Sequence, residues 1–137
     1  MLNRKISKVS HFLRSKVFQH KTVKSLSRLS GYGAPIAQAF LTTLKKKHTP
    51  EEDQLFKILG EFRQDLSVNN QKISFKEIGS DTEMTVAEVS RRAASPEVWT
   101  RFFYQLSKTK SVNNILEIGT NLGVSGQYFI KALEGKK

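Results

Sequence analysis

Residues Asn114 to Ser125, Asn-Ile-Leu-Glu-Ile-Gly-Thr-Asn-Leu-Gly-Val-Ser, constrain the fold more than any other stretch of the chain. Ile115, Leu116 and Ile118 make a short apolar run of the kind a parallel strand shows when both of its faces are covered. Glu117 is its one interruption, and a carboxylate there needs a partner, because burying it alone is costly. Gly119 and Gly123 bracket a turn in which the backbone can take positive φ or approach a ligand closely. Val124 to Leu133 then reads as a helix, whose N-terminal amides suit an anion. Strand, glycine turn and helix together predict the opening of an α/β sheet.

Glu117-Ile118-Gly119-Thr120-Asn121-Leu122-Gly123-Val124-Ser125 resembles the first motif of class I S-adenosyl-L-methionine (SAM) dependent methyltransferases, in the form seen in catechol-type and related bacterial O-methyltransferases. It does not fit the dinucleotide fingerprint, since Asn121 and Val124 break the G-x-G-x-x-G spacing. The resemblance implies that Glu117 accepts from the methionine ammonium of SAM and that Gly119 lets the cofactor come close. It further implies that Ser125 and the amides after Gly123 face the cofactor carboxylate, with Thr120 and Asn121 completing the cofactor-binding set. Upstream, Phe75 to Asp81, Ala93-Ala94-Ser95-Pro96 and Trp99 to Leu106 resemble the order found before this motif in a bacterial branch of the family. That branch carries aspartate-phenylalanine-glycine-alanine-glycine-serine where this chain has Glu77-Ile78-Gly79-Ser80, shorter by two residues in a loop with a lid role.

The fold class implied is α/β, a Rossmann-like class I methyltransferase that is incomplete: a mostly helical N-terminal region, then the first strand and helix of the SAM-binding sheet. Three regions are expected: a basic helical region over 1–48, a helical cap or lid over 49–110, and the start of the SAM-binding domain over 111–137. The activity implied is O-methyl transfer to a small molecule, with SAM as cofactor. An acidic residue closing a second strand, where the family holds the ribose hydroxyls, is missing from the sequence. So are later strands and every group on the acceptor side. The 137 residues are therefore expected to be an N-terminal portion, inactive alone, whose strand edges are completed by a homodimer or by a separate C-terminal chain. The catalytic base and the methyl acceptor stay unassigned, and no metal ligands are expected.

The formal net charge is +11, and it maps to one place. Residues 1–50 hold eleven Lys or Arg and no acidic residue, whereas 51–137 hold twelve of each sign. Charge asymmetry of this kind points to a polyanion or an anionic membrane surface. Leu2, Ile6, Val9, Leu13 and Val17 recur at helical spacing, with Arg4, Lys5, Lys8, Arg14 and Lys16 mostly elsewhere around the helix. Three readings compete for this amphipathic segment: docking on the rest of the protein, contact of residues 1–30 with anionic lipid or nucleic acid, and an organellar transit peptide. The alternative to an enzyme is accordingly a non-catalytic helical module that binds lipid or RNA through its basic third. His11 and His20 lack acidic neighbours in sequence and read as solvated. The absence of cysteine fits a reducing compartment, and with no secretory signal or ~20-residue apolar span the expected location is cytoplasmic.

Between these ends the punctuation is local. Ser30 to Pro35 is a turn cluster, and Ile36 to Lys47 reads as a helix with Lys45 to Lys47 in its last turn. Thr49-Pro50-Glu51-Glu52 is a capping box opening a helix that runs to Val68. Lys72 to Ile78 reads as a short strand or extended lid segment, and Gly79 to Glu83 as loop. Thr85 with Glu88 predicts a second capped helix, with Arg91 and Arg92 at its C-terminal end. Ser95-Pro96 opens a further helix whose Trp99, Phe102, Phe103 and Tyr104 read as core in preference to a base-stacking surface.

Overall fold

Thr49 sets the start of the longest helix, and the rest of the fold is hung from it. In the computed structural model, which describes residues 21–31, 33–134 and 136, the Glu52 amide donates to Thr49 Oγ1 at 3.3 Å and the Thr49 amide donates to Glu52 Oε2 at 3.1 Å. This reciprocal box satisfies two of the donors that a helix start leaves without partners. Pro50 occupies the first turn, where its missing N–H is no loss.

Residues 21–26 are helical and lead through a turn into α1 (Gly33–Leu44). The capped helix is α2 (Pro50–Val68), followed by β1 (Lys72–Ser74), a 3-10 turn at Lys76–Ile78 and β2 (Glu83–Thr85). Then come α3 (Val86–Ala93), α4 (Glu97–Ser107) and α5 (Val124–Leu133). The central helix is α4, packed on α1 and on α5, while α2 packs on α3 and α5. Helix α1 closes with the Lys46 amide bonded to Thr43 O and the Lys47 amide to Thr42 O, a Schellman arrangement in which Lys46, at φ 50°, stands where glycine is usual.

Phe56, Leu59, Tyr104, Tyr128 and Ala132 form the buried core between α2, α4 and α5. Phe56 meets Tyr104 edge-on at 5.1 Å and stacks on Tyr128 at 5.9 Å, spacings at which aromatic pairs contribute beyond their buried area. Arg63 Nη2 donates to the Ser95 carbonyl at 2.6 Å, tying the turn after α3 to the middle of α2.

The sheet departs from the expectation. Among the described residues it has two strands, antiparallel, pairing Lys72 with Thr85, Ile73 with Met84 and Ser74 with Glu83. Only the first half of Lys72–Ile78 is strand, and Glu83, expected as loop, opens its partner. The hairpin docks the start of α3 to the end of α2: the Val86 amide donates to Gln71 O and the Ala87 amide to Asn69 O, both at 2.9 Å. Residues 115–118, expected as a buried parallel strand, belong to no sheet. Leu116 and Ile118 are 86% and 89% exposed, because no neighbouring strand among the described residues pairs with them or covers them. No Rossmann-like parallel sheet is formed by the described residues. Helix α5 begins and ends where the sequence places it. Trp99, expected in the core, is 48% exposed, while Tyr104 is buried. The amphipathic segment from Leu2 to Val17, with His11 and His20, lies outside the described residues. No helix among the described residues is long and apolar enough to cross a membrane.

Candidate functional site

The glycine turn between residue 118 and α5 folds into a lip above the helix N-terminus. Gly119 and Gly123 take φ of 80° and 76°, the left-handed region that glycine enters without strain. Asn121 between them, at φ 52°, belongs to the side chains that tolerate this region best. The Gly123 amide closes the turn on Thr120 O at 2.9 Å. These reversals carry the chain from Ile118 into α5.

Glu117 has a partner. Its Oε1 accepts a hydrogen bond from Ser125 Oγ, which holds the carboxylate over the start of α5. A Cβ built at Gly126 falls 3.2 Å from Glu117 Oε2 and 3.6 Å from Thr120 Cγ2, so the carboxylate lies close against the helix at a glycine. Nothing lies within 4 Å of a Cβ built at Gly119 or Gly123, so both stand on an open surface.

A cavity of about 300 Å³ opens beside this lip, at the small end of ligand-site volumes. Five of the six residues that the resemblance selects, Glu117, Gly119, Thr120, Asn121 and Ser125, line it. Gly123 does not; it shapes the turn from behind. The opposite wall consists of residues that sequence reasoning did not select: Phe103 of α4, Phe129 of α5 and the turn Ala93 to Ser95. Phe103 and Phe129 stack with ring centres 5.5 Å apart and give the cavity an apolar side. Phe129 falls four residues after Ser125, one turn along the same helix face, and that spacing was the available signal for it. The segment Phe75 to Asp81 does not line the cavity, and Ile78 within it is 78% exposed.

No protein-family model, curated protein or solved structure matches this chain. A carboxylate 8 residues before a helix-start hydroxyl and hydrogen-bonded to it offers an acceptor for a cation, and the uncapped first-turn amides of α5 offer donors for an anion. Opposite charges a few ångströms apart on one ligand describe an α-amino acid. Among the described residues Glu117 is the one acidic side chain lining the cavity.

A second polar group lies on the far side of the core. Glu52, 6% exposed, receives the Lys108 ammonium at 2.5 Å, and His48 Nδ1 stands 3.9 Å from its other oxygen. Burial pushes the Glu52 carboxyl up, but Lys108, the Thr49 amide and Gln105 outweigh it and hold the pKa below the ordinary value. Burial likewise pushes Lys108 down, and the Glu52 contact more than reverses it. His48 packs edge-on against Phe56 at 5.0 Å and Arg101 lies over the same ring at 5.1 Å. This cluster clamps the start of α2 to the end of α4. It lines none of the cavity beside Glu117. Among the described residues, no three His, Cys, Asp or Glu side chains gather as metal ligands.

Proposed function

We propose that residues 114–125 form the amino-acid end of a SAM site and that the chain belongs to a methyltransferase lineage acting on oxygen of a small molecule. The observation that carries this reading is the Glu117 carboxylate, fixed by Ser125 at the mouth of a cavity whose floor is the N-terminus of α5. Glu117 would take the methionine ammonium of SAM, and the amides at the head of α5 its carboxylate. The open face at Gly119 admits the sulfonium end, where a side chain would stand in the way. Bound there, SAM supplies an activated methyl group for in-line transfer, a reaction that depends chiefly on positioning. The aromatic wall of Phe103 and Phe129 suits a sulfonium, since cations are attracted to ring faces.

In this reading the chain contributes one wall of the cleft. Leu116 and Ile118 are the faces on which further strands would pack, supplied by a second copy or by a complementing C-terminal chain. The test is nuclear magnetic resonance titration of the isotopically labelled chain with SAM. Weak, millimolar binding is expected, with shifts confined to Glu117, Gly119, Thr120, Asn121, Ser125 and their neighbours. Glu117→Gln should abolish it by removing the negative charge that pairs with the ammonium, and Gly119→Val by filling the approach. Unchanged shifts in both variants, or shifts centred elsewhere, reject the site.

A further inference from the structure

Lys21, Lys24, Arg28 and Lys45 are exposed and gather on one side of the helical layer formed by residues 21–28 and α1. Lys21, Lys24 and Lys45 rim a shallow groove of about 380 Å³ whose remaining lining is Val23, Ser27 and Leu41. A second groove, continuous with it through Lys21 and Lys24, adds Arg28 and the 47%-exposed Leu29. None of these four cations forms an ion pair within the described residues. Among the described residues no acidic side chain lines either groove, and the first fifty residues of the sequence contain none.

We infer that this face docks on an anionic lipid surface. Charge complementarity supplies the attraction, since each Lys or Arg held near an anionic leaflet strengthens binding roughly fivefold. The groove floors decide between lipid and nucleic acid. Among the described residues they are aliphatic, from Val23, Leu41 and Leu29, with no aromatic ring on which a base could stack and no Asn or Gln to read a base edge. A cationic rim around an aliphatic floor is the arrangement with which an amphipathic surface seats itself among phosphate head groups, the apolar side chains reaching the acyl boundary. None of the residues of this face lines the cavity beside Glu117.

Co-sedimentation of the whole chain with phosphatidylcholine vesicles containing phosphatidylglycerol, against pure phosphatidylcholine vesicles, tests it. Preferential binding to the anionic vesicles, lost as salt rises from about 0.05 to about 0.5 M, is expected. Equal binding to both vesicle types overturns the inference without recourse to any variant. The combined Lys21→Gln, Lys24→Gln, Arg28→Gln and Lys45→Gln variant, with helicity checked by circular dichroism, should partition about six-hundredfold less. A fall of less than about threefold assigns vesicle binding to other cations and overturns the role of this face. Polyuridylate is titrated at the same salt; binding to it tighter than to the anionic vesicles makes the surface a nucleic-acid contact and overturns the lipid assignment.

Discussion

Removing one ammonium from the Glu52 cluster should loosen the whole helical frame, by an amount the geometry sets. Lys108→Met keeps the aliphatic stem beside Tyr104 and deletes the charge. The Glu52 carboxylate, 6% exposed, is then left with the Thr49 amide at 3.1 Å as its principal donor. A hydrogen bond to a charged group contributes about 1.5–3 kcal/mol. The Lys108 side chain is 43% exposed, so water competes for its ammonium, and fully exposed pairs contribute only about 0–1 kcal/mol. Between these limits we expect a loss of about 1.5 kcal/mol at neutral pH, roughly 5 °C in Tm for a chain of this size.

The same contact fixes the pH dependence. Glu52 has a folded pKa held below its ordinary value, so its ionised form stabilises the fold above an unfolded carboxylate's pKa of about 4.3, and that stability is lost as pH falls through the folded value. Lys108 has a raised folded pKa, so its contribution is complete below an unfolded lysine's pKa of about 10.4 and is lost above it. The difference between wild type and Lys108→Met should therefore be full between about pH 5 and pH 10 and should close on either side. Urea unfolding followed by helical circular dichroism measures it. Glu52→Gln in both backgrounds should show a coupling of about 1 kcal/mol. Equal midpoints at neutral pH, or a difference that persists unchanged into acid, would refute the clamp.

Gly60 lies inside α2 with nothing within 4 Å of a built Cβ, so Gly60→Ala should raise stability by about 0.5–1 kcal/mol, read from the same urea midpoints. An unchanged or lowered midpoint shows that the site is more crowded than its geometry indicates. The polypeptide of residues 1–137, incubated with methyl-labelled SAM and a panel of phenols, carboxylates and amines, should transfer no label, because misplacement of the acceptor by about 1 Å can cost on the order of a hundredfold. Transfer by the purified monomer would show that one wall of the cleft suffices.

Features that depend on a few adjacent residues were legible in the order of amino acids. Both capping boxes, Thr49 with Glu52 and Thr85 with Glu88, form with the partners that their spacing dictates. Helix α5 starts where glycine gives way to a helical run and ends at Leu133. Features that need a distant partner were not. The apolarity of Ile115 to Ile118 is plain, but whether such a segment is a strand depends on a neighbour with which to exchange hydrogen bonds, and none stands beside it among the described residues. The hairpin partner Glu83–Thr85 is too short and polar to announce itself, and it forms because the cap of α3 is anchored to the end of α2. The same division runs through the candidate site. Its turn was readable as a contiguous motif, while Phe103 and the Ala93–Ser95 wall arrive from other helices, and the role of Gly126 appears only when the Glu117 carboxylate is seen lying against it.

The open row from residue 113 to 119 makes no backbone hydrogen bonds among the described residues. Soluble proteins commonly blunt such a row with a charge that repels a second copy of itself. Glu117 is the one charged residue in it, and its carboxylate is turned inward to Ser125, with Leu116 and Ile118 facing out on either side. The hydrogen bond that shapes the lip thus turns the one charge of this row away from solvent and leaves the exposed Leu116 and Ile118 without it. Freeing the carboxylate with Ser125→Ala should exchange one property for the other: a less ordered lip, and a chain that self-associates less in solution.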